Sequence, residues 1–327
     1  MKAIVYHRYG SPDVLKCEEI EKPTAGDNEV LIEVSAASVN PLDYHLMRGR
    51  PYIIRIMSGL RKPKAARPGV DVAGRVEAVG GNVTQFKPGD EVFGWCRGAL
   101  AEYVCTSQSA LVMKPDNVTF EQAASVPAAA FTALQGLRDK GQIKPGQKVL
   151  INGASGGVGT FAVQIAKSFG ADVTGVCSTR NVDLVRSIGA DRVIDYTQED
   201  FTKSRQRYDI FIDCVGNHSL SACRRVLSPN GIYIPVGGPV DRWMIGVLSR
   251  SIQSLVLSRV VSQKLVTFFL ARARKEDLTV LHELISAGKV IPVIDKRYRL
   301  NEAPEAIRYL EEGHARGKVV VTLEHDL

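Results

Sequence analysis

The chain has 327 residues, 45% of them hydrophobic and 24% charged, the balance of a folded globular protein with length for two domains at about 150 residues each. Six cysteines, at 17, 96, 105, 177, 214 and 223, never fall two or three apart and mostly sit in apolar runs, which argues against a zinc knuckle and a disulfide framework. The 42 basic residues against 35 acidic ones are unevenly spread: residues 48–67 and 242–275 hold seven bases each and no acid, so the remainder is acidic and a general nucleic-acid-binding surface is not expected.

The opening MKAIVYHRYG is charged too early and apolar too briefly for a signal peptide, and no long uncharged apolar run follows. A reducing cytoplasm is the expected location. Up to about residue 120 short alternating runs (KAIVYH, EVLIEVSAAS, VAGRVEAVG, DEVFGW, AEYVCT) are punctuated by Gly, Pro, Asn or Asp, which predicts an antiparallel barrel or sandwich. From about 123 strands alternate with helices: KVLING, a helix over 158–169, ADVTGVC, a helix over 181–188, DRVIDY, YDIFIDCVG, a helix over 219–227, and GIYIPVGG. That alternation predicts an α/β, doubly wound parallel sheet. After 290 come a short strand, a helix opened by Asn301 with Pro304 in its first turn, and the strand KVVVTL. The expectation is a β-rich domain made of 1–122 and 292–327 with an α/β domain, 123–291, inserted in it, and a cleft at the junction where small-molecule sites prefer to form.

The strand Lys148 to Asn152 runs into Gly153-Ala154-Ser155-Gly156-Gly157-Val158-Gly159 and then a helix with one apolar face. Such a loop holds a pyrophosphate: Gly156 lets backbone approach the phosphates, Gly159 lets helix pack on strand, and free N–H groups supply donors. Ala154 stands where the usual pattern has its first glycine. A tight turn without a ligand is the alternative, but the strand, helix and length of the βαβ unit are the context a dinucleotide site requires. An acid gripping the ribose 2′-hydroxyl of NAD is missing about 20 residues on; Ser178, Thr179, Arg180 and Asn181 stand there instead, which suits a 2′-phosphate and hence NADPH.

Taken together, ASVNPLDYHLMRG (37–49), PGVDVAGRVEAVG (68–80), PAAAFTALQGL (127–137), NGASGGVG (152–159) and GHARGKVVV (313–321) resemble the medium-chain dehydrogenase/reductase superfamily in its zinc-independent quinone oxidoreductase branch. The resemblance implies a GroES-like catalytic domain, an inserted Rossmann domain and a homodimer. Alcohol dehydrogenases of the superfamily hold a catalytic zinc with a Cys where Asn40 lies, Gly-His-Glu where Gly69-Val70-Asp71 lies, and a second Cys in the region of Ala128 to Ala130. Asn40 and Val70 offer neither thiolate nor imidazole, and no four-cysteine lobe follows Val92 to Trp95, so a metal-free site is expected. Without a Lewis acid, acceptors whose charge spreads onto oxygen, quinones and enones, become the natural substrates. Alkenal or enoyl reduction, or NADPH binding without turnover, are the alternatives.

By the same resemblance Asn40 and Asp43 lie beside the nicotinamide ribose and the reacting centre, although both could simply cap a turn at Pro41. Thr132 reaches the nicotinamide side of the cofactor, and Tyr196 packs by the 2′-phosphate. Val215 lines the cofactor site, Val236, Gly237 and Gly238 line the nicotinamide, and Lys318 closes the cleft unless it is merely solvated at a strand start. Tyr44 and Tyr52 follow the Asn40 turn closely enough to deliver a proton, with solvent as the alternative. The two basic stretches also carry apolar residues, such as Ile53, Ile54, Ile56, Met57 and Leu60 in the first, and Trp243, Ile252, Leu255, Val256 and Val260 in the second. That composition suits peripheral contact with an anionic membrane; a dimer interface and a flap over the substrate are the alternative.

Overall fold

The computed structural model describes residues 1–64, 67–238, 244–257, 261–267 and 269–323, without the side chain of Met57. Arg242, Trp243, Arg259 and Val260 of the second basic stretch therefore lie outside the described residues.

The chain opens with β1 (Lys2–Val5), β2 (Lys16–Glu19) and the long β3 (Glu29–Val39), followed by the helices α1 (Pro41–Arg48) and α2 (Ile54–Ser58). Strands β4 (Asp71–Val79), β5 (Glu91–Trp95), β6 (Tyr103–Ser107) and β7 (Leu111–Met113) complete its β-rich stretch, and α3 (Phe120–Ala124) and α4 (Pro127–Gln135) follow. The βαβ portion comprises β8 (Lys148–Asn152), α5 (Gly157–Ser168), β9 (Asp172–Cys177), α6 (Val182–Ser187), β10 (Arg192–Asp195), β11 (Tyr208–Asp213), α7 (Leu220–Arg225) and β12 (Leu227–Pro235). Then come α8 (Ile245–Leu257), β13 (Lys264–Leu265), α9 (Lys275–Ser286), β14 (Ile294–Arg299), α10 (Ala303–Glu311) and β15 (Lys318–Thr322).

These elements form two compact units: Met1–Ala129 with Ala273–Gly288 and Pro292–Leu327, and Ala130–Arg272 with Lys289–Ile291. In the first, seven strands form a sheet ordered β14-β15-β3-β4-β5-β7, with β6 also on β3. One edge of β3 pairs antiparallel with β6 over Glu29 to Glu33 and then with β15 over Ala36 to Val39. A single strand thus joins a piece from each end of the chain, and its Val30, Ile32 and Val34 lie in a core shared with Val72, Val76, Val319 and Val321. Helix α1 was not expected, yet its signals are local: Pro41 occupies the first turn and the Asp43 carboxylate accepts from Asn40 N at 2.7 Å.

The second unit is a parallel sheet ordered β10-β9-β8-β11-β12-β13, so the chain reverses direction across the sheet between β8 and β11. Ligands of open α/β sheets bind at the carboxyl ends of the strands flanking that reversal. Helix α8 turns Ile245, Leu248, Ile252, Leu255 and Val256 outward, each more than half exposed. Its base, Arg250, turns inward and donates to the carbonyls of Gly216 and His218. Within the stretch 242–275 the helix ends at Leu257, Lys264 lies in β13, and the described outward side of α8 carries Ser249 and Gln253 among its apolar residues and no base.

Candidate active site

In the first unit a buried polar cluster gathers at the ends of β3, β4 and β15. Asp71 opens β4 fully buried. Its Oδ2 accepts from Ser38 Oγ and Asn40 Nδ2, both at 2.8 Å, and its Oδ1 from Ala128 N at 2.9 Å. The Lys318 ammonium, 4% exposed, donates to Asn40 Oδ1 at 2.5 Å and lies 3.4 Å from Asp71 Oδ2. Lys318 is thus neither solvated nor on an edge strand, because β15 lies between β14 and β3. Burial pulls its pKa below the usual lysine value while Asp71 and Asp43 oppose that pull.

Asp43 is also buried, and its second oxygen accepts from Gly69 N at 2.8 Å. Burial pushes this carboxyl up to about 7, against the two backbone donors that favour its charged form. The capping role is therefore geometrically real for Asp43. Asn40 is held through its whole amide, since Nδ2 donates to Asp71 and to Ser38 O at 3.4 Å while Oδ1 receives Lys318. Tyr44 packs half-buried against the β-sheet core, and burial raises its phenol. Tyr52 lies beneath the Arg55 guanidinium, 5.0 Å from the ring centroid.

In the second unit the glycine loop follows β8. The first bond of α5 is Thr160 N to Gly156 O at 2.9 Å, so the N–H groups of Gly157, Val158 and Gly159 precede the helical ladder. A Cβ on Gly159 would meet Gly153 O at 2.0 Å, whereas one on Gly156 would meet that oxygen at 3.5 Å. Gly159 therefore serves packing, while Gly156 would bring a Cβ only to ordinary contact with one carbonyl, which leaves room for a phosphate. Ala154 is fully buried and its N–H bonds Val176 O at 3.0 Å.

At the end of β9, Asn181 donates to Ser155 Oγ at 3.0 Å and Ser178 Oγ at 3.2 Å, while its buried Oδ1 has no partner among the described residues. A ribose hydroxyl would satisfy that oxygen. Arg180 and Tyr196 are exposed, and Tyr196 N donates to Cys177 O at 3.0 Å at the end of β9. The Thr179 hydroxyl is instead tied to Thr197 Oγ1 at 2.8 Å, and hydrogen bonds from Thr179 hold the Asp195 carboxyl below its usual value.

The loops after β11 and β12 are set by Asp213, which sequence reading missed. Its Oδ1 accepts from Asn152 Nδ2 at 3.0 Å, Val215 N at 3.2 Å and Gly216 N at 2.8 Å; its Oδ2 accepts from Tyr233 OH at 2.8 Å. Arg250 donates to the same tyrosine oxygen at 2.6 Å. Val236 N and Gly237 N both bond Asp213 O, and a Cβ on Gly237 would meet Cys214 O at 2.2 Å. Thr132 lies half-buried on α4. An acid inside an apolar strand was the available signal for Asp213, as for Asp71, because such a group persists only when fully bonded. With the orphaned Asn181 oxygen, the helix-start N–H groups ahead of the α5 ladder and the uncrowded Gly156, the chain's residues fit a dinucleotide.

A sheet of this order with a glycine turn at its reversal, together with a strand-rich unit built from both ends of the chain, defines a two-domain nucleotide-dependent oxidoreductase fold. Residues 26–116 match the alcohol dehydrogenase GroES-like domain and residues 188–321 the model described as zinc-binding dehydrogenase. The chain is 36% identical to the mitochondrial NAD(P)H oxidoreductase RTN4IP1 of Mus musculus, over 99% of this chain and 89% of that protein. It is 35% identical to the chloroplastic NADPH-dependent alkenal/one oxidoreductase of Arabidopsis thaliana, over 98% and 79%. The solved quinone oxidoreductase of Coxiella burnetii superposes with a TM-score of 0.83 at 32% identity, covering 99% of each chain. The chain belongs to the medium-chain dehydrogenase/reductase superfamily, in its quinone oxidoreductase branch.

Because Asp71 and Lys318 are both buried, removing one strands the other. Lys318→Met should cost about 3 to 5 kcal/mol in urea unfolding, and adding Asp71→Asn should recover a large part of it. Costs that simply add would mean that the two groups do not interact.

Proposed function

We propose that the chain reduces quinones or other conjugated carbonyl compounds using NADPH. When bound, the dinucleotide supplies a hydride. The N–H groups of Gly157, Val158 and Gly159 would receive its pyrophosphate, with Ala154, Ser155 and Gly156 shaping the turn. Ser178, Arg180 and Tyr196 would hold the 2′-phosphate, with Thr179 bracing them through Thr197. Val215 and the Val236–Gly238 loop would line the nicotinamide, with Thr132 on its other side.

The observation that carries the reading is the Asn40, Asp71 and Lys318 cluster. It is an amide and an ammonium held in fixed positions by a buried carboxylate, with Asn40 standing where zinc dehydrogenases of this superfamily carry a Cys ligand. Such a set stabilises charge that spreads over a conjugated system. Asp43, with a carboxyl at about 7, would sit beside it as a group near its titration point at neutral pH, and Tyr44, Tyr52 or solvent would deliver the final proton. The name of the Arabidopsis relative supports alkenals and enones as a second acceptor class.

Oxidation of NADPH against a panel of small quinones and alkenals tests this reading. Turnover on at least one acceptor is expected, and tight NADPH binding without turnover on any of them would instead mark a cofactor sensor. Arg180→Asp should weaken NADPH about a hundredfold, on the order of 3 kcal/mol, and NADH far less; equal effects in titration calorimetry would move the 2′-phosphate elsewhere. The outward apolar face of α8 would take a second copy of the chain. Ile252→Glu should then shift a dimer to monomers in light scattering, and an unchanged mass would remove α8 from the interface.

A further inference from the structure

The first basic stretch divides by direction. Arg48 is spent on Glu311, to which it donates through Nε and, at 2.8 Å, through Nη2. Arg55 is spent on the loop itself: its Nε donates to Gly49 O at 3.0 Å and its guanidinium lies 4.6 Å above the Tyr9 ring. Tyr9 OH in turn donates to Gly59 O at 2.6 Å, and Lys64 N to Ser58 O at 2.7 Å. This inner frame leaves Arg50, Arg61, Lys62 and Lys64 exposed. Between the first and the last three stand Ile53, Ile56 and Leu60, exposed by 58%, 69% and 71%. Those values are too high for core residues of the chain and place three large apolar side chains in water unless something covers them.

We propose that the segment 50–64 is a docking face for an anionic lipid surface. A protruding apolar tip flanked on both sides by bases, with no acid in the whole stretch 48–67, matches the two layers of such a surface: acyl boundary for Ile53, Ile56 and Leu60, headgroup phosphates for Arg50, Arg61, Lys62 and Lys64. Among the described residues of α8 the outward side lacks the second half of that match, because Arg250 points inward. Charge complementarity thus assigns lipid to 50–64. The use of this face in collecting a lipophilic acceptor rests on the reductase reading; lipid binding itself does not, and is measured without cofactor or acceptor.

The test is co-sedimentation with vesicles of phosphatidylcholine alone and of phosphatidylcholine mixed with phosphatidylglycerol, at low and high salt. The wild-type chain should pellet with the mixed vesicles at low salt, stay in solution with the neutral ones, and be released by salt. Arg61→Glu, Lys62→Glu and Lys64→Glu together should lower partitioning at least about a hundredfold, since each base near such a surface is worth about fivefold. The exposed triple Lys203→Glu, Arg205→Glu and Arg207→Glu changes net charge equally and should bind nearly as wild type. Ile53→Ser, Ile56→Ser and Leu60→Ser together should also abolish pelleting while melting at the wild-type temperature. Wild-type protein in the supernatant at low salt overturns the proposal. So does equal loss in the control triple, which would make net charge the cause, or full binding by the serine variant, which would leave a polyanion surface only. A serine variant that keeps vesicle binding but raises the KM for acceptor would make the segment a substrate flap, and one that changes oligomeric state instead would make it a contact between copies.

Discussion

A carboxylate taken out of water costs several kcal/mol unless donors replace its hydration, and Asp71 obtains those donors from four places in the chain. Ser38 ends β3, Asn40 precedes α1, Ala128 lies in α4 and Lys318 opens β15. None of these is near another in sequence except the first two. Satisfying one buried charge therefore fixes how β3, β4 and the carboxyl-terminal strand meet, and it draws the last strand of the chain to the site whose first residues are written near residue 40. The same atoms that close the fold are those the chemistry would use.

The parallel-sheet unit repeats the device with different residues. Asp213 ends β11 buried and collects an amide from β8, two N–H groups from its own loop and a phenol from β12. Because those donors come from the strands on either side, the carboxylate holds the carboxyl ends of β8, β11 and β12 in one constellation, at the sheet reversal where a dinucleotide would bind. Arg250 extends it to α8 through the Tyr233 oxygen and the carbonyls of Gly216 and His218. A helix with an apolar outer face is thus bonded to the loop that would line the nicotinamide.

What the sequence made legible follows from which forces leave a periodic trace. Strand and helix alternation from β8 to β12 is written in hydrophobic spacing, and the glycine turn in residue volume, so both were read. Helix α1 went unread because Asn40, Pro41 and Asp43 make equally good turn residues, and only the buried Gly69 N–H that Asp43 also serves distinguishes the two. Asp71 and Asp213 were legible only as acids out of place, since their side-chain partners lie tens to hundreds of residues away. The basic stretches are legible as counts only: a count of seven does not say that Arg48, Arg55 and Arg250 are spent on partners within the chain.

Ala154 shows how a missing motif residue is absorbed. Its methyl group would sit 2.9 Å from a Cβ on Gly175, so the neighbouring strand β9 carries a glycine where a larger residue would collide with Ala154 and, at 2.5 Å, with Val185. The volume added in the loop is subtracted across the ladder between β8 and β9. The Ala154 N–H is meanwhile committed to Val176 O, which removes it from the groups that could meet a phosphate and leaves that work to the N–H groups of Gly157, Val158 and Gly159. The fingerprint is therefore a statement about space and unspent donors around the turn, and a chain satisfies it whenever those two quantities are conserved between the strands.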